Sequence, residues 1–150
     1  MGLRMQAVIV NCHDPERLAE FWAAALGWRI TIRGEPEWGV EPPEGSREDS
    51  VVPDLLFLQV PDEKQGFNRL HIDLRPEGPD GDQTAEVARL EALGATRADV
   101  GQGDDVSWVV MADPEGNELC VLAPYPPDVR PLWQAQYDAY QPTGRPGVPG

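Results

Sequence analysis

The stretch Arg69-Leu70-His71-Ile72-Asp73-Leu74-Arg75 alternates without a break, with charged or titratable residues at odd positions and aliphatic residues at even ones. This period of two predicts a β-strand over residues 69–75 that faces two different environments. Leu70, Ile72 and Leu74 are expected in a core, and Arg69, His71, Asp73 and Arg75 on the opposite face. Elsewhere the period lengthens. Leu18, Phe21, Trp22, Ala25 and Leu26 recur at spacings of three and four, behind Asp14 as a cap and Pro15 as first helical residue, and ahead of Gly27 at the left-handed stop. Together they predict a helix over residues 15–26.

The same reading places strands at 6–11, 28–33, 38–40 and 54–60, with a polar, Pro-rich surface loop over 41–53. The order then repeats. After strand 69–75, the turn-rich residues 76–81 lead into a helix carrying Val87, Leu90 and Leu93 and ending at Gly94. Strands follow at 96–100, 106–111 and 118–122, the last two joined by the turn Asp113-Pro114-Glu115-Gly116. Each half therefore reads strand, helix, strand, strand, strand. Two tandem βαβββ modules predict an α+β fold, a cup-shaped antiparallel sheet with helices on its outer face. In a cup, the polar side of strand 69–75 looks inward.

With 150 residues and 41% apolar content, the chain suits one domain with a full core. Twelve Lys and Arg against 26 Asp and Glu give a formal charge of −14, which disfavours nucleic acid and anionic membranes as partners and leaves small molecules or proteins. The first apolar run, residues 7–10, is too short for a signal-peptide core or a membrane span, so a cytoplasmic location is expected. Cys12 and Cys120 sit in apolar strand patterns and read as reduced thiols.

The segments "NCHDPERLAEFWAAALGW", "NRLHIDLR", "EVARLEALGAT" and "WVVMADPEGNELCVL" resemble, in order, four blocks of the glyoxalase, bleomycin-resistance and ring-cleaving dioxygenase superfamily, the vicinal oxygen chelate proteins. The glyoxalase-like branch is the most similar. The resemblance implies a domain over 1–124, with halves at about 5–60 and 68–123, and a homodimer. It also implies metal ligands on the cup face of each half's first and last strands. His71 matches one such position. Cys120 falls where a glutamate is usual, Ala7 matches the first strand's position, and Gln59 is the plausible side chain beside Asp54 in strand 54–60.

The chemistry stays open between several readings. A divalent metal (zinc, nickel, manganese or iron) would be held by His71 and Cys120 with Glu118 nearby, the soft pair favouring zinc. The alternative, favoured by the replaced ligands, is no cofactor. A metal-free cup would use His71 and Glu118 as catalytic groups, with Arg69, Asp73, Arg75, Gln59 and Trp108 binding the ligand. Arg69 and Arg75 could equally be paired across strands, Trp108 could be core, and His13 reads as either rim or plain surface. The resemblance implies a lyase or isomerase acting on a small metabolite, or alternatively a protein that sequesters a planar drug or natural product. Residues 125–150 form a Pro-rich tail. Within it, Trp133, Tyr137 and Tyr140 mark a short helix over 131–140, either packed on a partner surface or disordered.

Overall fold

The computed structural model describes residues 2–77, 81–126 and 128–129. The expected tail helix at 131–140 lies outside the described residues. Within them the chain runs β1 (Ala7–Cys12), α1 (Pro15–Leu26), β2 (Arg29–Ile32), β3 (Glu37–Glu41) and β4 (Asp54–Gln59), then β5 (Ile72–Leu74), α2 (Gln83–Leu93), β6 (Thr96–Arg97), β7 (Val109–Ala112) and β8 (Glu118–Val121). The two βαβββ modules are there in the expected order.

Local chemistry explains both helices. Asp14 accepts from Arg17 N at the start of α1, and Gly27 ends the helix at φ 67°. Asp82 accepts from Thr84 N and Ala85 N, and Gly94 ends α2 at φ 111°. Glycine suits both stops because the left-handed region costs it nothing.

Each module makes a four-stranded sheet, ordered β1-β4-β3-β2 and β5-β8-β7-β6. These sheets are mixed, unlike the purely antiparallel sheet expected: β1 pairs with β4 in parallel and β5 with β8 in parallel, and the remaining pairs are antiparallel. The reason is directional. The chain reverses into the helix and again out of it, and the meander reverses it twice more, so after four reversals the last strand of a module runs the same way as the first.

One face of each sheet packs under its helix. Leu18, Ala19, Phe21, Trp22 and Ala25 of α1 meet Val40, Leu55 and Phe57, and Val87 and Leu90 of α2 join the same core as Met111, Leu119 and Val121. The halves are clamped by Arg89, whose guanidinium donates to Ala24 O at 3.0 Å and Ala25 O at 2.7 Å, carbonyls at the C-terminal end of α1. The opposite sheet faces stay open as a cup, with no closed barrel.

The strand expected over 69–75 is shortened to Ile72–Leu74, and Leu70 is 72% exposed. Pairing supplies the reason. β8 registers only with Ile72, Asp73 and Leu74, and upstream the Glu118 carboxylate captures Asn68 N at 2.8 Å, bending the chain away from the ladder. Similarly, the strand expected at 106–111 begins only at Val109, leaving Trp108 in the preceding bend.

Candidate functional site

Parallel pairing sets Asp73 opposite Cys120. Ile72, Leu74, Leu119 and Val121 point toward the helix, so alternation sends His71, Asp73, Glu118 and Cys120 to the cup face. There His71 Nδ1 lies 3.0 Å from Asp73 Oδ1 and 3.9 Å from Cys120 Sγ. The three side chains offer one donor atom each, all within 4.8 Å of one another. Burial, then the negative charge of Asp73 and its hydrogen bond, push the Cys120 thiol up from its ordinary value, so it is a protonated thiol at neutral pH. With Asp73 on Nδ1, the imidazole hydrogen sits on that nitrogen and Nε2 is left as the basic atom.

A cavity of about 520 Å³ opens over this corner. Trp108, Phe67, Val100 and Leu122 line its walls, and His71, Asp73 and Cys120 its floor. Trp108 is 39% exposed and Phe67 65% exposed, unusual values for large aromatics unless they wall a ligand space or a contact surface.

Glu118 also borders the cavity, but its carboxylate is engaged elsewhere. Oε1 takes Lys64 Nζ at 2.8 Å and Oε2 takes Asn68 N at 2.8 Å, both from the segment joining the modules. Burial pushes its carboxyl up, yet these hydrogen bonds and the Lys64 charge outweigh that and hold it below the ordinary value. A carboxylate so stabilised is a weak base, which turns the expected catalytic role toward a structural one.

The remaining candidates disperse. Arg69 lines a neighbouring cavity of about 850 Å³ with His13 and Glu115. Arg75 donates to Ala123 O and stacks 4.0 Å over the Tyr125 ring, facing a separate cavity beside Trp28. Gln59 donates to His13 O at 3.1 Å at the far end of β4, and Ala7 offers no donor side chain. His13 is fixed at the rim: its N–H donates to the Glu115 carboxylate at 2.8 Å, and Nε2 lies 3.1 Å from Asp62 O. Phe67 and Lys64 had not been singled out from sequence. The one available signal was an aromatic isolated in the polar run 62–68.

Residue types decide whether this corner suits the metal that its superfamily resemblance implies. A nitrogen, a carboxylate oxygen and a sulfur, spaced as above, suit a borderline-soft divalent ion better than magnesium or calcium.

Two βαβββ modules, mixed sheets open on one side and a polar corner on that face define the vicinal oxygen chelate class. The chain belongs to the glyoxalase-like domain family, whose family model matches residues 7–122. Among solved structures, it is similar to a glyoxalase/bleomycin resistance protein/dioxygenase family enzyme from Burkholderia phytofirmans PsJN, at TM-score 0.62 and 15% identity, covering 82% of this chain and 100% of that one. The fosfomycin resistance protein FosX from Mesorhizobium loti superposes at TM-score 0.59 with 12% identity, over 87% and 98% of the two chains. A glyoxalase-related enzyme from Fulvimarina pelagi gives TM-score 0.55 at 14% identity, over 80% and 87%. At such identities the likeness is one of fold. No curated protein matches the sequence.

Proposed function

We propose that the protein binds a small metabolite with a flat apolar body and an oxygenated end, and acts on it as a lyase or isomerase. One observation supports this above all. A single cavity combines the Trp108 and Phe67 walls with the His71–Asp73–Cys120 floor. The apolar body stacks on Trp108, and the polar end reaches His71. Asp73 fixes the ring and turns Nε2, the atom that takes or returns a proton, toward the ligand. Arg69, at the edge of the adjoining cavity, is placed to meet a ligand carboxylate extending that way.

The test is turnover and binding measured together. A panel of oxygenated aromatics is titrated against tryptophan fluorescence, with products followed by NMR. Trp108→Ala should weaken binding, whereas His71→Gln should stop turnover and leave binding largely intact. No binding from the panel, or binding indifferent to Trp108→Ala, would sink the proposal.

A second reading, sequestration of a planar drug without chemistry, draws support from Glu118. With that carboxylate held by Lys64 and Asn68, His71 is left as the main proton-moving group. Binding without product, unaffected by His71→Gln, decides for it. The homodimer belongs to the same proposal, as exposed Ile9, Phe67 and Leu70 supply apolar surface for a second copy. Light scattering at micromolar concentration checks it. Among the described residues no helix is long and apolar enough to cross a membrane. The two free cysteines suit a reducing, cytoplasmic compartment.

A further inference from the structure

We propose that the ligand of this cavity is an organic cation, a flat body carrying a protonated or quaternary nitrogen that lies against the Trp108 ring and pairs with the Asp73 carboxylate. The proposal rests on the cavity being the ligand space described above, and adds the charge that the ligand carries.

The charges around the cavity are of one sign. Among the described residues that line it there are two carboxylates, Asp73 and Glu118, and no Lys or Arg. Glu118 is already matched, with Lys64 Nζ 2.8 Å from Oε1. The neighbouring cations serve other places. Arg69 borders the adjoining cavity, and Arg75 lies over the Tyr125 ring and donates to Ala123 O. Asp73 is met by the His71 imidazole, 3.0 Å from Oδ1, and by the Cys120 thiol, neutral groups that orient the carboxylate without cancelling its charge. Its side chain is half exposed and so remains open to a ligand.

An uncompensated carboxylate beside an aromatic wall selects by charge. A neutral ligand stacked on Trp108 would cover Asp73 and strip its water with nothing in return, which is costly. A cationic ligand replaces that water with an ion pair. Trp108 favours the same choice, because its ring is partly open and the indole face carries the negative side of the ring quadrupole. Phe67 supplies a second aromatic wall. At longer range the formal charge of −14 draws cations toward the protein and repels anions.

A charge series of one shape tests the assignment. Tyramine, tyrosol and 4-hydroxyphenylacetate share a phenol ring and a two-carbon arm, which ends in an ammonium, a hydroxyl and a carboxylate. Each is titrated at pH 8 and low salt into the full chain, chelator-treated so that no divalent ion competes for Asp73. Binding is read by NMR from the Trp108 indole N–H, assigned by its disappearance in Trp108→Phe. Tyramine is expected to bind roughly tenfold more tightly than tyrosol, and 4-hydroxyphenylacetate more weakly than either. Asp73→Asn should bring tyramine down to the affinity of tyrosol. Tyrosol itself should bind that variant unchanged, which shows that the cavity is intact. Glu20→Gln, on the exposed side of α1, should leave the preference for tyramine in place.

Equal affinity for tyramine and tyrosol, tightest binding of 4-hydroxyphenylacetate, or a preference for tyramine that survives Asp73→Asn would overturn the proposal while leaving the cavity a ligand site. A Trp108 signal indifferent to all three compounds would strike the proposed function itself, and the charge assignment with it.

Discussion

Trp22 Nε1 donates to the buried Asp113 carboxylate at 3.1 Å, joining α1 of the first module to the β7–β8 turn of the second across 91 residues of sequence. Asp113 is 3% exposed and also accepts from Glu115 N, Asn117 N and Asn117 Nδ2. Glu115, from the same turn, accepts His13 N and Asp14 N. The turn is therefore a clasp between modules. Asp113→Ala strands several buried donors, and a loss of about 2–4 kcal/mol in urea denaturation is expected. Trp22→Phe, which removes one donor, should lose less. A double-mutant cycle showing no coupling between the two would refute the clasp.

Asp113 also predicts an unusual pH dependence. Burial pushes its carboxyl above the ordinary value of 3.8, despite four hydrogen bonds that lower it. The native state then binds this proton more tightly than the unfolded chain. Its contribution to stability falls as pH rises through the native pKa, and improves as pH drops from there toward 3.8. Subtracting the pH–stability curve of Asp113→Asn from the wild-type curve should expose this sign. A difference that grows more favourable with rising pH contradicts it.

Glu118 is expected to act as a latch for the segment between the modules. Its side chain is 12% exposed and binds Lys64 Nζ and Asn68 N. Glu118→Ala removes the acceptor of Asn68 N and leaves Lys64 Nζ only the Gly66 carbonyl, at a cost of about 1–3 kcal/mol. The sharper readout is tryptic cleavage after Arg69, which should accelerate several-fold as the segment opens locally. Unchanged cleavage would mean that the segment is held by other contacts.

Native thiols should react slowly. Desolvation, with the charges of Glu115, Asp113 and Asp14, pushes the Cys12 thiol up to about 12. At pH 8 only about one molecule in ten thousand carries that thiolate. Ellman's reagent should therefore modify Cys12 at a negligible rate until urea is added, when two thiols appear. Prompt labelling of Cys12 in folded protein would show that the burial is wrong.

Gly39 sits where the sheet has no room. A Cβ there would come 2.8 Å from Leu56 Cδ2 and 3.2 Å from Ile32 Cβ. The leucine tip can rotate, but Ile32 Cβ moves only with β2. Gly39→Ala should destabilise by about 1–3 kcal/mol in thermal or urea unfolding. Full stability in the variant would imply that β2 yields readily at its bulge, between Ile30 and Ile32.

Much of this was legible in the sequence. Spacing and caps fix α1, because a helix writes its buried face and its ends locally, at Asp14, Leu18, Trp22 and Gly27. Alternation likewise identified Ile72 and Leu74 as facing the core and His71 and Asp73 as facing the cup, and the repeated module order followed from turn residues. Periodicity, however, records which face of an element is covered, not which element covers it. Only the parallel β5–β8 register brings Asp73 opposite Cys120. Only the chain's path after β4 gives Glu118 to Lys64 and lifts Phe67 beside Trp108. Arg75 alternates faultlessly with Asp73, yet stacks on Tyr125 just beyond β8, because the ladder releases the strand after Leu74. Strand composition set the faces, whereas long-range pairing decided which polar groups would meet, a choice made by contacts that no local pattern encodes.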